Sequence, residues 1–270
     1  MAASEGVDLE WAIVKLGRGE DIKKLKRQYS ARIIEQASKS IKNIETKLGK
    51  SYKILHSDEE HIHAQPEPKT DIVIYAKNKK YFVSVKMEGG IQLASGQGES
   101  TAELFRETGK AVFSSNKKKL SEVENLANVI AEMPTRLLAP QNLERILEEA
   151  NPNVLKEFTK AGKILSNKNA QSWLEMAKPK LLDDIENFIK QNPGFYTEII
   201  REALTGERTL KRFKGAAATH IVSPAGFYKI DDAYVSNVKN KVKGLLPSIP
   251  TGPCLLTMSF NYDVMKNEKF

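Results

Sequence analysis

Apolar residues recur at three- and four-residue spacing at Ile34, Ala37, Ile41, Ile44 and Leu48, with Lys and Glu between them. That period predicts one amphipathic helix over residues 20–48, and Gly49 is placed to stop it. The stretch "SYKILH" then reads as a short strand, and "HSDEEHIHAQPEPKT" as a polar loop with two prolines. Two β-branched, apolar runs follow, "DIVIYA" (71–76) and "YFVSVKM" (81–87), separated by "KNKK". A link so short predicts an antiparallel hairpin. Beyond the glycine-rich stretch 89–98, Ser100 or Thr101 is a candidate cap for a helix through "TAELFRETGKAVF", with Glu103 and Glu107 near its start.

From Lys117 to about Thr205 the pattern is helical throughout, punctuated by proline and glycine, with no alternating run and no repeat period. Strand character returns in "ATHIVS", "GFYKI" and "CLLTMSFNYD", with a basic helix "DAYVSNVKNKVKGLL" between the last two. The expected fold class is therefore α/β (α+β): a small mixed sheet flanked by helices, in which the late strands join the early hairpin and the helical block is an insertion. By pattern the chain divides into 1–116, a helical block 117–205, and a C-terminal part 206–270.

Composition narrows the class. Of 270 residues, 40% are hydrophobic and 28% charged, which suits a folded domain and not a disordered chain. The formal charge of +8 favours a polyanionic partner, because each cation placed on a phosphate releases condensed counterions. The one cysteine, Cys254, lies in an apolar run and reads as a small core residue. One cysteine makes no internal disulfide, so a reducing compartment is expected. No apolar run approaches the roughly 20 residues that span a bilayer, and the N-terminus lacks the pattern of a signal peptide. A cytoplasmic protein with no membrane association is the expectation.

Candidate chemistry centres on the second strand of the hairpin. Side chains alternate along a strand, so Ser84 and Lys86 share a face, and Glu88 joins them where the extended chain continues. A lysine after an apolar run is costly to desolvate without an anionic partner. The turn folds Asp71, which opens the preceding strand, back alongside Lys86. Each alone has an ordinary reading, a turn-capping acid and a snorkelling lysine. Together they bring a carboxylate and an ammonium to one edge of a sheet.

"PKTD" (68–71), a hairpin and then "VSVK" (83–86) resemble the motif of the PD-(D/E)xK phosphodiesterases, the superfamily of restriction endonucleases and Holliday-junction resolvases. The resemblance covers about the first 115 residues and implies a restriction-endonuclease-like core. It implies that Asp71 binds metal, that Lys86 orients or activates the attacking water, that Gln92 matches the downstream Gln, and that a helix Glu, here Glu35 or alternatively Glu45, supplies a further acid. Mg²⁺ or Mn²⁺ is the implied cofactor and DNA the implied substrate. The sequence departs from the pattern twice. Pro68 lies three residues before Asp71, and Ser84 stands where the second acid belongs. A hydroxyl is a poor direct ligand for a hard cation. The missing carboxylate then comes from Glu88 on the same face or from Glu35 on the helix, giving a candidate metal set of Asp71, Glu35 and Glu88.

Other signals are weaker. His56, His61 and His63 lie among acids, but no Cys pairs accompany them and the spacing is not that of a zinc site. The glycines fit neither a P-loop nor a dinucleotide fingerprint. Basic runs occur at Lys23–Arg27, Lys117–Lys119, Arg208–Lys214 and Lys239–Lys243, and most such runs are solvated faces, while two are candidate phosphate contacts. The best is "RTLKRFK", where Arg208, Lys211, Arg212 and Lys214 accompany Phe213. Lys117, Lys118 and Lys119, beside Ser114 and Asn116, come next. Trp173 reads as core of the helical block. Three functions are compatible with these residues: a metal-dependent endonuclease, a non-catalytic DNA-binding protein on a decayed nuclease core, and a protein-interaction module. Oligomeric state is open, a dimer included.

Overall fold

The computed structural model describes residues 5–60, 69–88, 90–137, 183–211, 217–248 and 257–263. The predicted sites at His61, His63, Trp173, Arg212, Phe213, Lys214 and Cys254 lie outside the described residues.

The first helix, α1 (Glu5–Gly17), was not foreseen from the pattern. Leu9, Ala12 and Ile13 are buried at helical spacing. Glu5 and Asp8 lie in its first turn and Lys15 in its last, which complements the helix dipole. The single helix expected over 20–48 is instead two. α2 (Ile22–Leu25) is capped by Asp21, and α3 (Ala31–Leu48) by Ser30, whose side chain accepts from the Ile33 N–H at 3.3 Å. Ser30 is extended, with φ −63° and ψ 155°, so the chain turns before α3 begins. Gly49 ends α3 at φ 85°, as expected.

Five strands form one mixed sheet in the order β1-β2-β3-β5-β6. These are β1 (Tyr52–His56), β2 (Ile72–Ala76), β3 (Lys79–Val85), β5 (His220–Ser223) and β6 (Gly226–Lys229). β1, β2 and β3 form an antiparallel meander, β3 pairs with β5 in parallel, and β5 pairs with β6 in antiparallel. Ile54, Ile72, Ile74, Val83, Val85 and Val222 bury one face of the sheet in a core shared with Leu9 and Ile13 of α1 and with Ile33 and Ile44 of α3. Each such side chain contributes about 1.5–3 kcal/mol when fully buried. α1 approaches β1 closely at Gly17, where a Cβ would sit 2.8 Å from Cγ2 of Ile54.

Two of the late strands thus join the early hairpin, as expected. The last does not. β7 (Val242–Ser248) and β8 (Thr257–Asp263) form a second, three-stranded sheet with β4 (Gly90–Gln97), in the order β4-β8-β7. The basic helix predicted through Leu246 stops at Lys241, where β7 takes over. Gly244 and Pro247 oppose helix on its far side.

The chain forms two compact units. One comprises Met1–Ile91, Ile200–Val242 and Tyr262–Phe270; the other comprises Gln92–Ile199 and Lys243–Asn261. The second is thus inserted into the sequence of the first, with boundaries at 91/92 and 199/200 where the pattern suggested 116/117 and 205/206. In the second unit α4 (Gly98–Val112) packs on α5 (Lys117–Leu137), close at Gly109 against Val123. Phe105, Phe113 and Phe188 gather around Phe195, with ring centroids 5.2 to 5.8 Å from it. Among the described residues no helix is long and apolar enough to cross a membrane.

Candidate active site at the end of the β2–β3 hairpin

The backbone of Asp71 is held from both sides. Its N–H donates to the Val83 carbonyl at 3.0 Å, and its carbonyl accepts from the Ser57 N–H at 2.9 Å. Its carboxylate oxygen Oδ2 accepts from the Ser84 hydroxyl at 3.0 Å and from the Val85 N–H at 2.6 Å. Lys86, one residue past the end of β3, donates its N–H to the Val222 carbonyl on β5 at 2.9 Å. Strand alternation therefore brings Asp71, Ser84 and Lys86 together, as the sequence predicts.

The charge balance at Asp71 is unusual. Burial is the strongest influence and pushes its carboxyl up to about 7. The Lys86 ammonium pulls down, the Glu10 carboxylate pushes up, and the hydrogen bonds from Val85 and Ser84 pull down. Glu10 lies on α1 and was missed from sequence. The helix acid whose charge acts on Asp71 is thus Glu10, on a helix ahead of the one searched. The signal that finds it is the apolar spacing of Leu9, Ala12, Ile13 and Leu16.

Glu10 is in turn held by His56, the last residue of β1, whose Nε2 lies 3.2 Å from Glu10 Oε2. The imidazole stacks on Trp11 with centroids 4.1 Å apart and 9° between planes. Its Nδ1 accepts from the Asp58 N–H at 3.2 Å. Burial pushes this ring's pKa down, but the Glu10 hydrogen bond and the charges of Asp58, Glu10 and Asp71 outweigh it, for a net rise. Glu59 accepts from the His56 N–H and is clamped by Arg18 through both guanidinium NH groups. The turn after β1 is thereby fixed beside the site.

The other predicted residues lie elsewhere or differently. Glu35 is exposed and pairs with Lys39 at 2.8 Å, which holds its carboxyl below the usual range. Its neighbour Gln36 is the buried one, 3% exposed, and its Oε1 accepts from the Glu88 N–H at 3.0 Å. Strand β3 ends at Val85, so the extended path that would align Glu88 with Lys86 does not continue; the charge of Glu88 acts on Lys39 of α3. Gln92 lies in β4, and its side chain is outside the described residues.

Of the expected phosphate contacts, Lys117 and Lys118 are exposed at the start of α5. Lys119 is engaged with Glu122 at 2.7 Å and lies over the Phe188 ring. Asn116 caps the helix by accepting from the Lys119 N–H. Arg208 donates its backbone N–H to the buried carboxylate of Glu202, which also accepts from the Thr209 N–H and hydroxyl. That carboxylate seats the short helix Glu207–Lys211, at whose end stands Lys211.

Mg²⁺ is commonly held by one or two carboxylates, with waters and substrate phosphate completing its shell. Asp71, whose proton affinity is raised in part by the Glu10 carboxylate, is an acid that a cation would relieve, and Glu10 is the second carboxylate nearby. Ser84 spends its hydroxyl on Asp71, an orienting contact and not a ligand. Among the described residues no three His, Cys, Asp or Glu side chains converge as a ready metal cluster. Compared with known proteins, the chain matches no family model, no curated protein and no solved structure.

Proposed function

We propose that this chain is a Mg²⁺-dependent DNA endonuclease of the PD-(D/E)xK kind, with Asp71, Lys86 and Glu10 at its centre. The observation that carries this reading is the enclosed Asp71 carboxyl, pushed up to about 7 by burial beside both the Lys86 ammonium and the Glu10 carboxylate. Perturbed acids beside a lysine at a strand end are where hydrolytic chemistry is expected. Asp71 and Glu10 would hold the metal. When bound, Mg²⁺ supplies positive charge to the scissile phosphate. Lys86 places its ammonium by the attacking water and the developing charge. Ser84 and the Val85 N–H keep the Asp71 carboxylate in one orientation, and His56 does the same for Glu10. The net charge of +8 supports a polynucleotide substrate.

Plasmid DNA incubated with Mg²⁺, Mn²⁺ or EDTA tests the reading. Cleavage is expected with either metal and none in EDTA. Asp71→Ala and Lys86→Ala should each lower the rate about 100-fold or more, the usual scale for removing a charge that stabilises the transition state. Ser84→Asp, which supplies the missing acid, should lower the Mg²⁺ concentration needed. Cleavage that survives Asp71→Ala unchanged would sink the assignment.

A second reading has one observation in its favour. Ser84 leaves the motif one acid short, which fits a DNA-binding protein on a decayed nuclease core. Salt-dependent DNA binding with no cleavage in either metal would select it.

A further inference from the structure

At the opposite end of the hairpin from Asp71, three strands place cations and rings side by side. Lys53 of β1 pairs with Tyr75 of β2, and Tyr75 pairs with Lys80 of β3, so the three share one face. The ammonium groups of Lys53 and Lys80 lie 5.8 and 5.2 Å from the Tyr75 ring, and Lys80 lies 5.0 Å from the Phe82 ring. Glu60 ties this group down, accepting from Lys80 at 3.0 Å and from the Tyr75 hydroxyl at 2.8 Å. Lys80 is thus an anchored, neutralised centre. At this end of the sheet Lys50, Lys53, Lys77 and Lys79 are exposed, Lys79 on the opposite face from Lys53 because it pairs with the buried Ala76, and among the described residues none of the four makes an ion pair. Lys77 and Asn78 occupy the turn at φ 50° and 60°. Asn-Gly is the cheaper occupant of such a turn, so a lysine at its tip breaks a local rule with no compensating contact.

We propose that this lysine platform docks the phosphate backbone of a DNA duplex, at a point separate from the catalytic end of the same hairpin. The inference rests on DNA being this chain's partner. Lys53 shares the Glu60 carboxylate with Lys80, and Lys50, Lys77 and Lys79 add like charge at the same sheet end that a polyanion compensates. The spacing favours a duplex. From Asp71 to Ala76 the strand advances five residues, roughly 17 Å at ~3.4 Å each. That equals about five base pairs, so a duplex laid along the hairpin offers phosphates to Lys86 and to the platform at once.

The test is fluorescence anisotropy on a labelled duplex of about 30 base pairs, in EDTA, over a salt series. The protein carries Lys50→Gln, Lys53→Gln, Lys77→Gln and Lys79→Gln together, with a second version bearing Arg at all four positions. The Gln version should bind at least tenfold more weakly and show a log–log salt slope shallower by about 3.6, since each of the four lost phosphate contacts removes ~0.9. The Arg version should keep the wild-type slope. A Gln version with unchanged slope, circular dichroism and melting temperature overturns the inference. So does displacement of the duplex by polyglutamate as readily as by unlabelled DNA. The assay reads no cleavage, so a protein that binds this way but never cuts sinks only the nuclease reading. One that cuts while the Gln version keeps the wild-type slope sinks only the platform.

Discussion

Burial and Glu10 raise the proton affinity of Asp71 against the pull of Lys86, and this links the site to stability. The folded pKa, about 7, lies above the ordinary 3.8. The folded chain therefore holds a proton that the unfolded chain has already released. The contribution to stability is complete below about pH 4 and is lost as pH rises towards 7. In metal-free buffer, Asp71→Asn should be matched with wild type near pH 4 and gain on it by pH 8, read by urea denaturation at the two values. Mg²⁺ added at pH 8 should raise the wild-type melting temperature and leave that of Asp71→Asn unmoved. If metal shifts both equally, Asp71 is not a ligand. At this scale Asp71, Ser84 and Lys86 were legible because strand alternation has a strict period of two. Glu10 was not, because its helix went unread. The role of Ser84, donating to Asp71, follows from a hydrogen bond that no spacing reports.

The helix and hairpin elements show where pattern reading succeeds and where it slips. Adjacent helical residues differ by about 100° around the axis. Choosing Glu35 as the inward acid was therefore one position from the buried Gln36, which holds the Glu88 backbone. The 20–48 helix divides at Ser30 because a side-chain cap there competes with helix continuation. The hairpin was read correctly from "KNKK", and its turn proved to be the tightest kind, with Ala76 paired to Lys79. Left-handed backbone costs an ordinary residue about 1–2 kcal/mol. Lys77→Asn with Asn78→Gly should therefore stabilise the fold and raise its melting temperature by roughly 2–4 °C, while weakening duplex binding. A variant that melts no higher than wild type would mean that the turn is unstrained.

For the whole molecule, the decisive feature is the seam between β3 and β5. Val83, Ser84 and Val85 pair with His220, Ile221 and Val222. No local pattern announces a partner so far along the chain, although the returning strand character from Ala217 hinted at one. A fragment of residues 1–116, the stretch on which the resemblance rests, would carry β3 with a bare edge and without β5 or β6. It should fail to fold, giving little native sheet by circular dichroism and tending to aggregate. A fragment with a sharp, cooperative melt would refute that dependence. The same seam separates the motif from its completion during synthesis. The backbone of Lys86 is fastened only when Val222 arrives, about 136 residues later. At ribosomal speed that is a delay of roughly 7–27 s. The candidate site therefore stays open on its β5 side until the whole inserted stretch 92–199 has been made.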